Sequence, residues 1–137
     1  MANDNWFVTL ESKLFTIIKT RLTRNIGSKY PSLFCTTSPV TDADPVFPTV
    51  YIHELPGMEM GQDIENTGIN AVLETLQIEV TTNNTMKECA DVASAVILQL
   101  KALHFNIIAL PVYSYEGNVI RGIIRARRMI GSDDSLT

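Results

Sequence analysis

The sequence has few of the residues that build a disulfide framework or a metal site. Its 137 residues include two cysteines, Cys35 and Cys89, and two histidines, His53 and His104. Two cysteines outside a C-x-x-C pair exclude a disulfide-stapled scaffold, and we expect both to be reduced core residues because free cysteine behaves as a small hydrophobe. Four widely separated nitrogen and sulfur ligands do not form a structural zinc site. The sequence therefore predicts neither a metal nor a cofactor.

Long hydrophobic runs are also lacking. No apolar run exceeds five residues, whereas a membrane-spanning helix needs about 20. The N-terminus has no basic stretch followed by an apolar segment, so we expect no signal peptide and no membrane association. Hydrophobic residues make up 45% and charged residues 19%, which excludes a disordered, collagen-like or coiled-coil chain. We expect one domain at residues 1–130 and a flexible C-terminal tail at 131–137.

Catalytic motifs are missing as well. The chain contains no H-E-x-x-H spacing, no phosphate-binding glycine-rich loop and no nucleophile elbow. Its acidic residues lack the spacing of a calcium-binding loop. The sequence thus predicts a protein that is not an enzyme, with no catalytic residues. A cysteine–histidine pair assembled across the fold is the alternative that would make it one.

Hydrophobic periodicity predicts two amphipathic helices. Apolar residues recur at three- and four-residue steps over Trp6–Ile26, which places them on one helical stripe. Gly27 is expected to end this helix in the left-handed conformation. The capping box Thr85-x-x-Glu88 predicts the start of the second helix, whose apolar stripe ends near His104.

Five strands are predicted at 32–37, 47–55, 72–82, 106–115 and 119–130 from period-two alternation bounded by turn residues. Pro48 indicates an edge position for the second strand, which we expect to end at Pro56-Gly57. Residues 56–71 are glycine-rich and weakly periodic, which predicts an exposed acidic loop. The order of elements indicates an α+β fold, with two helices on one face of an antiparallel, mixed-order sheet of about four to five strands.

The net charge of −4 conceals an uneven distribution along the chain. Residues 1–31 hold five basic and two acidic groups, and residues 42–91 hold ten acidic groups against Lys87 alone. Residues 92–130 hold five basic groups against Glu116. Segments of opposite charge suit a surface that meets a differently charged surface. The alternative is that they solvate opposite faces of the domain.

The basic groups near the C-terminus are arginines in the last predicted strand. Alternation places Arg121, Arg125 and Arg127 on one face of that strand and small apolar residues on the other. Such a row could bind nucleic-acid phosphates. The net negative charge and the lack of interleaved aromatic residues weigh against that reading.

Several segments together suggest a family. They are the amphipathic helix Trp6–Ile26, the segment Phe47-Pro-Thr-Val-Tyr-Ile-His-Glu leading into a polar loop, the strand Leu76-Gln-Ile-Glu-Val with the helix after it, and the closing Tyr-Glu-Gly-Asn-Val-Ile-Arg-Gly-Ile-Ile-Arg-Ala-Arg-Arg. In the order of its elements and in their residue patterns, the chain resembles the tail terminator (tail completion) proteins of long-tailed bacteriophages. The resemblance covers nearly the full length and rests on no diagnostic signature.

The resemblance implies a structural virion protein. Members of that family form six-fold rings that cap the growing tail tube, stop its polymerisation and provide the surface that joins the tail to the head. It therefore implies a hexameric ring at the head–tail junction, assembled in the host cytoplasm, with the tail tube protein and a head-completion or connector protein as partners. DNA would pass through the channel without specific binding. The alternative is a head-completion or neck connector protein of the same junction.

A ring joins one surface patch of each subunit to a different patch of the next. The arginine row and the acidic loop supply two such unlike patches. The residues inferred to form the subunit or partner interface are Arg121, Arg125, Arg127, Glu59, Asp63 and Glu65.

Overall fold

The computed structural model describes residues 6–37, 47–60 and 71–136, and for 57–60 it describes the backbone alone. After a short 3₁₀ turn at Trp6–Thr9, the elements are α1 (Leu10–Ile26), β1 (Phe34–Thr36), β2 (Thr49–Met60), β3 (Ala71–Thr82), α2 (Met86–Ala102), β4 (Asn106–Glu116) and β5 (Val119–Gly131). The order of helices and strands is the one that the sequence predicts.

The five strands form one sheet in the order β1-β2-β3-β5-β4. The β1 strand runs parallel to β2, and every other neighbouring pair is antiparallel. The chain therefore has an α+β fold with a mixed sheet, as predicted. Because β5 inserts between β3 and β4, the arginine-bearing strand lies inside the sheet rather than at its edge.

The hydrophobic core lies between the helices and one face of the sheet, which we call the core face. Burial alternates strictly along β3, as expected for a strand with one covered face. The core residues of β3, α2 and β5 include Leu76, Ile78, Val80, Val96, Leu100, Ile120 and Ile124, which are buried. Ile97 is partly buried against them. We call the opposite face of the sheet the open face.

The left-handed end predicted for the first helix at Gly27 is wrong. Gly27 has a right-handed φ of −62° and donates its amide to the Thr23 carbonyl at 2.9 Å. A Cβ at Gly27 would lie 2.3 Å from that oxygen, so close approach rather than left-handed backbone favours glycine here. The left-handed residue is His104, with φ of +64°, where the amide of Phe105 bonds back to the Leu100 carbonyl at 3.0 Å.

The second strand differs from the prediction at both ends. The edge position predicted for this strand is wrong, because β2 lies between β1 and β3. Pro48 precedes the first residue of β2, so its missing N–H removes no ladder hydrogen bond, and its carbonyl accepts one from the Phe34 amide at 3.0 Å. The predicted end at Pro56-Gly57 is wrong, because the register shifts between Leu55 and Met58 and the strand continues to Met60. This bulge accommodates the proline and glycine within the strand. Residues 56–60 are thus strand, and 61–70 lie outside the described residues.

The second helix begins as predicted. The Glu88 amide donates to Thr85 Oγ1 at 3.1 Å, which satisfies one of the unpaired amides of the first turn. At the other end of the chain, β4 and β5 are joined by a tight turn in which Gly117 adopts a φ of +64°. Glycine suits this turn because a side chain disfavours positive φ.

Candidate assembly interface

The arginine row, which comprises Arg121, Arg125 and Arg127, lies on the open face of β5. The residues that alternate with it, among them Ile124 and Ala126, are buried on the core face. The predicted division of this strand into an arginine side and an apolar side is therefore confirmed. The three arginines differ in what they contact.

Arg121 is neutralised within its own chain. Its guanidinium forms an ion pair with Glu79 of β3 and a second one, at 3.4 Å, with Glu116 of β4. The hydrogen bond that Arg121 donates to Glu79, together with the charges of both carboxylates, raises the pKa of Arg121 above its ordinary value. The pairing of Glu79 with Arg121 depends on the register of β3 and β5, which the sequence does not display.

Arg125 and Arg127 are exposed and have no carboxylate partner among the described residues. Arg125 Nε donates to Gln77 Oε1 at 3.0 Å. Arg127 lies opposite Thr75 of β3, and its side chain makes no hydrogen bond or ion pair within the described part of the chain. These two guanidiniums leave two positive charges without a carboxylate partner on the open face.

The acidic half of the predicted interface is placed only in part. Glu59 lies in β2 opposite Val72, and the structure describes its backbone but not its side chain. Asp63 and Glu65 lie outside the described residues. Any pairing of these carboxylates with the arginine row therefore stays a prediction.

The edge strand β4 adds a feature that the sequence analysis missed. Ile108, Leu110 and Val112 are 45%, 69% and 80% exposed, and we call these three residues the apolar ridge. Their neighbours along the strand, Ile107 and Tyr113, pack against the core, so the ridge points to the open face. The sequence signal for this ridge was that large apolar residues occur on both faces of this strand, not on one face only. Exposed apolar surface on an edge strand marks an interaction or aggregation site.

The other half of the open face is polar. Tyr51 and His53 lie two residues apart on β2, with the tyrosine hydroxyl 3.2 Å from His53 Nδ1 and the ring centroids 5.6 Å apart. The ladder places His53 opposite Gln77, which in turn lies opposite Arg125. The open face therefore changes from aromatic and polar on β2, through charged on β5, to apolar on β4.

Two buried groups have strongly perturbed acidity. Burial raises the pKa of the Cys35 and Cys89 thiols to about 11, so both are protonated at neutral pH and are poor nucleophiles. Cys89 also donates to the Val80 carbonyl at 3.6 Å. Within the described ranges no three histidine, cysteine, aspartate or glutamate side chains cluster as metal ligands.

A carboxyl pair lies on the core face near the bulge. Glu74 of β3 is 3% exposed and is hydrogen-bonded to Glu54 of β2. Burial is the main cause that raises the pKa of Glu74 to about 9, and the hydrogen bond and charge of Glu54 and the charge of Glu11 on α1 add to it. Glu74 shares its alternation with Leu76 and Ile78, so the strand pattern contained the signal for its burial.

Comparison with models of known protein families finds no match, and comparison with curated protein sequences finds none either. Within the described residues, neither helix combines the length and the apolar character that crossing a membrane requires.

Proposed function

We propose that this chain is a structural subunit of a ring that caps the tail tube of a long-tailed bacteriophage, ends tube polymerisation and forms the surface that joins tail to head. The observation that carries the proposal is the composition of the open face. Its apolar ridge lies beside Arg125 and Arg127, two exposed cations without a carboxylate partner among the described residues. A face that combines exposed apolar area with unpaired charge is suited to burial against another protein.

The asymmetry of this face favours a ring over a two-fold dimer. The ridge lies at the β4 edge, and the polar Tyr51–His53 pair lies on β2 across the sheet. Two unlike patches on one subunit suit a head-to-tail contact, in which each patch meets the other kind on the next copy. A closed ring of such contacts is the assembly that the resemblance to tail terminators implies.

The proposal places the remaining partners at the two ends of the ring. The tail tube protein would contact one end and a head-completion or connector protein the other, with DNA passing through the channel without specific binding. The net charge of −4 supports such a channel, since it disfavours nonspecific binding of phosphates. The protein would then be found in the virion at the head–tail junction.

The apolar ridge provides the first test of the ring. We expect native mass spectrometry of the protein, alone and mixed with the tail tube protein encoded with it, to show a closed homo-oligomer. Val112→Ser should convert that oligomer to monomer with little change in folding stability, because Val112 is exposed in the single chain. Leu98→Ser is the matched control, since Leu98 is 59% exposed on α2, which packs on the other side of the sheet.

Electron microscopy of assembled particles tests the location. Labelled protein should appear at the head-proximal end of the tail tube, and tubes polymerised in its presence should stop growing. A label found on heads that lack tails would favour the neck connector instead. A ring that survives Val112→Ser would mean that the open face is not the subunit contact.

A further inference from the structure

The buried carboxyl of Glu74 lacks a hydrogen-bond partner for one of its two oxygens among the described residues. Its Oε1 has no hydrogen-bond partner among the described residues, although the side chain is hydrogen-bonded to Glu54. The other charged group that acts on it is Glu11 of α1. Loss of the Glu74 proton would place a negative charge out of contact with water, close to two further carboxyl groups.

The arginine on the neighbouring strand has other hydrogen-bond partners. Arg128 of β5 lies directly opposite Glu74 in the ladder and shares its face, and such neighbours have Cβ atoms about 5 Å apart. The two side chains nevertheless form no ion pair. Instead, Arg128 Nη1 donates to the Leu103 carbonyl at 2.9 Å, and Nη2 donates to the Ser135 carbonyl at 3.1 Å.

The bond to Ser135 holds the C-terminal segment, by which we mean residues 132–136, against the domain. A turn closes this segment at its start, where the Gly131 amide donates to Asp134 Oδ2 at 2.7 Å. Beyond the turn, Leu136 packs partly buried against the hydrophobic core. The flexible tail that the sequence predicts thus has defined contacts in this structure, and Arg128 provides one of them.

We propose that Arg128 has two alternative acceptors, the Ser135 carbonyl and the ionised Glu74 carboxylate, so that loss of the Glu74 proton to solvent releases the C-terminal segment. A carboxylate attracts a guanidinium more strongly than a neutral carbonyl does, and bidentate pairing would satisfy the orphaned oxygen. Glu54 and Glu11 add negative charge on the same side and strengthen the attraction. The other titratable groups beside the Leu103 carbonyl are Lys101 and His104 at the end of α2, and both are exposed to solvent. This inference does not depend on the proposed function.

Methyl NMR of Leu136 tests the release directly. In the parent protein the Leu136 methyl signals should move from packed to free-chain positions as pH rises through the ionisation of Glu74, while the Ile124 methyl signals stay in place. Glu74→Gln cannot ionise and should keep Leu136 packed over the whole range. Glu116→Gln removes an exposed carboxyl outside this cluster and should behave like the parent.

A second measurement does not require a substitution at Glu74. Linkage is reciprocal, so removing residues 135–137 frees Arg128 and should lower the pKa of Glu74, measured by carboxyl carbon NMR, by about 1 unit or more. An unchanged Glu74 pKa in the truncated protein would overturn the proposal. So would a Leu136 signal that ignores pH, or one that moves together with Ile124, because the latter indicates opening of the whole core.

Discussion

Arg121 and Glu79 form an ion pair across β5 and β3 on the open face of the sheet. Glu116 of β4 adds a second carboxylate to the same guanidinium. The arginine row therefore contains one member that is neutralised within the chain and two members, Arg125 and Arg127, that have no carboxylate partner among the described residues. This difference separates an arginine whose charge is neutralised within the chain from two whose charges remain for a partner in the proposed ring.

The first prediction concerns Arg125. If this guanidinium meets a carboxylate of the next subunit, truncating it should cost on the order of 2–5 kcal/mol per interface for a desolvated pair, and little for a pair at the rim. Reversing its charge adds repulsion to that loss. We expect Arg125→Glu to shift the ring to monomer in native mass spectrometry. The free protein and tube-bound protein should both be measured, because the tube can act as a template for the ring.

Two variants control this experiment. Arg121→Ala removes two partly exposed ion pairs within the chain, so it should lower the free energy of unfolding by at most about 2 kcal/mol and leave the ring intact. Glu65→Arg in the Arg125→Glu background should restore part of the assembly if these residues meet. Rings that form normally with Arg125→Glu would show that the row is a solvated face.

The second prediction follows from the buried Glu74. Its pKa is about 9 in the folded protein and about 4.3 in an unfolded chain. Between these two pKa values the folded state binds one proton more than the unfolded state. The contribution of Glu74 to the free energy of unfolding is therefore fully present below the unfolded pKa, and it declines as pH rises by up to about 1.4 kcal/mol per pH unit. Urea unfolding at several values between pH 5 and 8 should show this decline. Glu74→Gln should flatten it and be more stable than the parent at pH 8, whereas parallel profiles would contradict the assignment.

The third prediction concerns the core. Leu100 of α2 is fully buried, so Leu100→Ala should lower the free energy of unfolding by about 2–5 kcal/mol through lost contacts and a residual cavity. Leu98, two residues earlier on the same helix, is 59% exposed, and Leu98→Ala should change stability by no more than about 0.5 kcal/mol. Chemical denaturation of both variants measures the difference. Equal effects would mean that the helix faces the sheet differently.

The fourth prediction concerns His104 at the end of α2. This residue is exposed and holds a φ of +64°, a conformation that costs a residue with a side chain about 1 kcal/mol. His104→Gly should therefore raise the free energy of unfolding by up to that amount in thermal or urea denaturation. His104→Ala keeps the Cβ and should give no gain, so a stabilised alanine variant would point to another cause.

The order of the elements, and the face on which most strand residues lie, could be predicted from local sequence patterns. Both helices, the hairpin at Gly117 and the arginine row follow from periodicity, capping and turn residues, which depend on neighbours in the chain. Local pattern failed at Gly27 and at Pro56-Gly57. There a close carbonyl and a bulge against β3 decided the conformation.

The contacts between distant side chains, by contrast, depend on how the chain folds in three dimensions. The strand ladders bring Arg121 to Glu79 and Glu74 to Glu54. The C-terminal segment returns to the domain and brings Ser135 to Arg128. The insertion of β5 between β3 and β4 likewise leaves the apolar ridge on an edge. Strand order and register depend on contacts between residues far apart in the chain, and a single sequence shows each strand's pattern but not its neighbour.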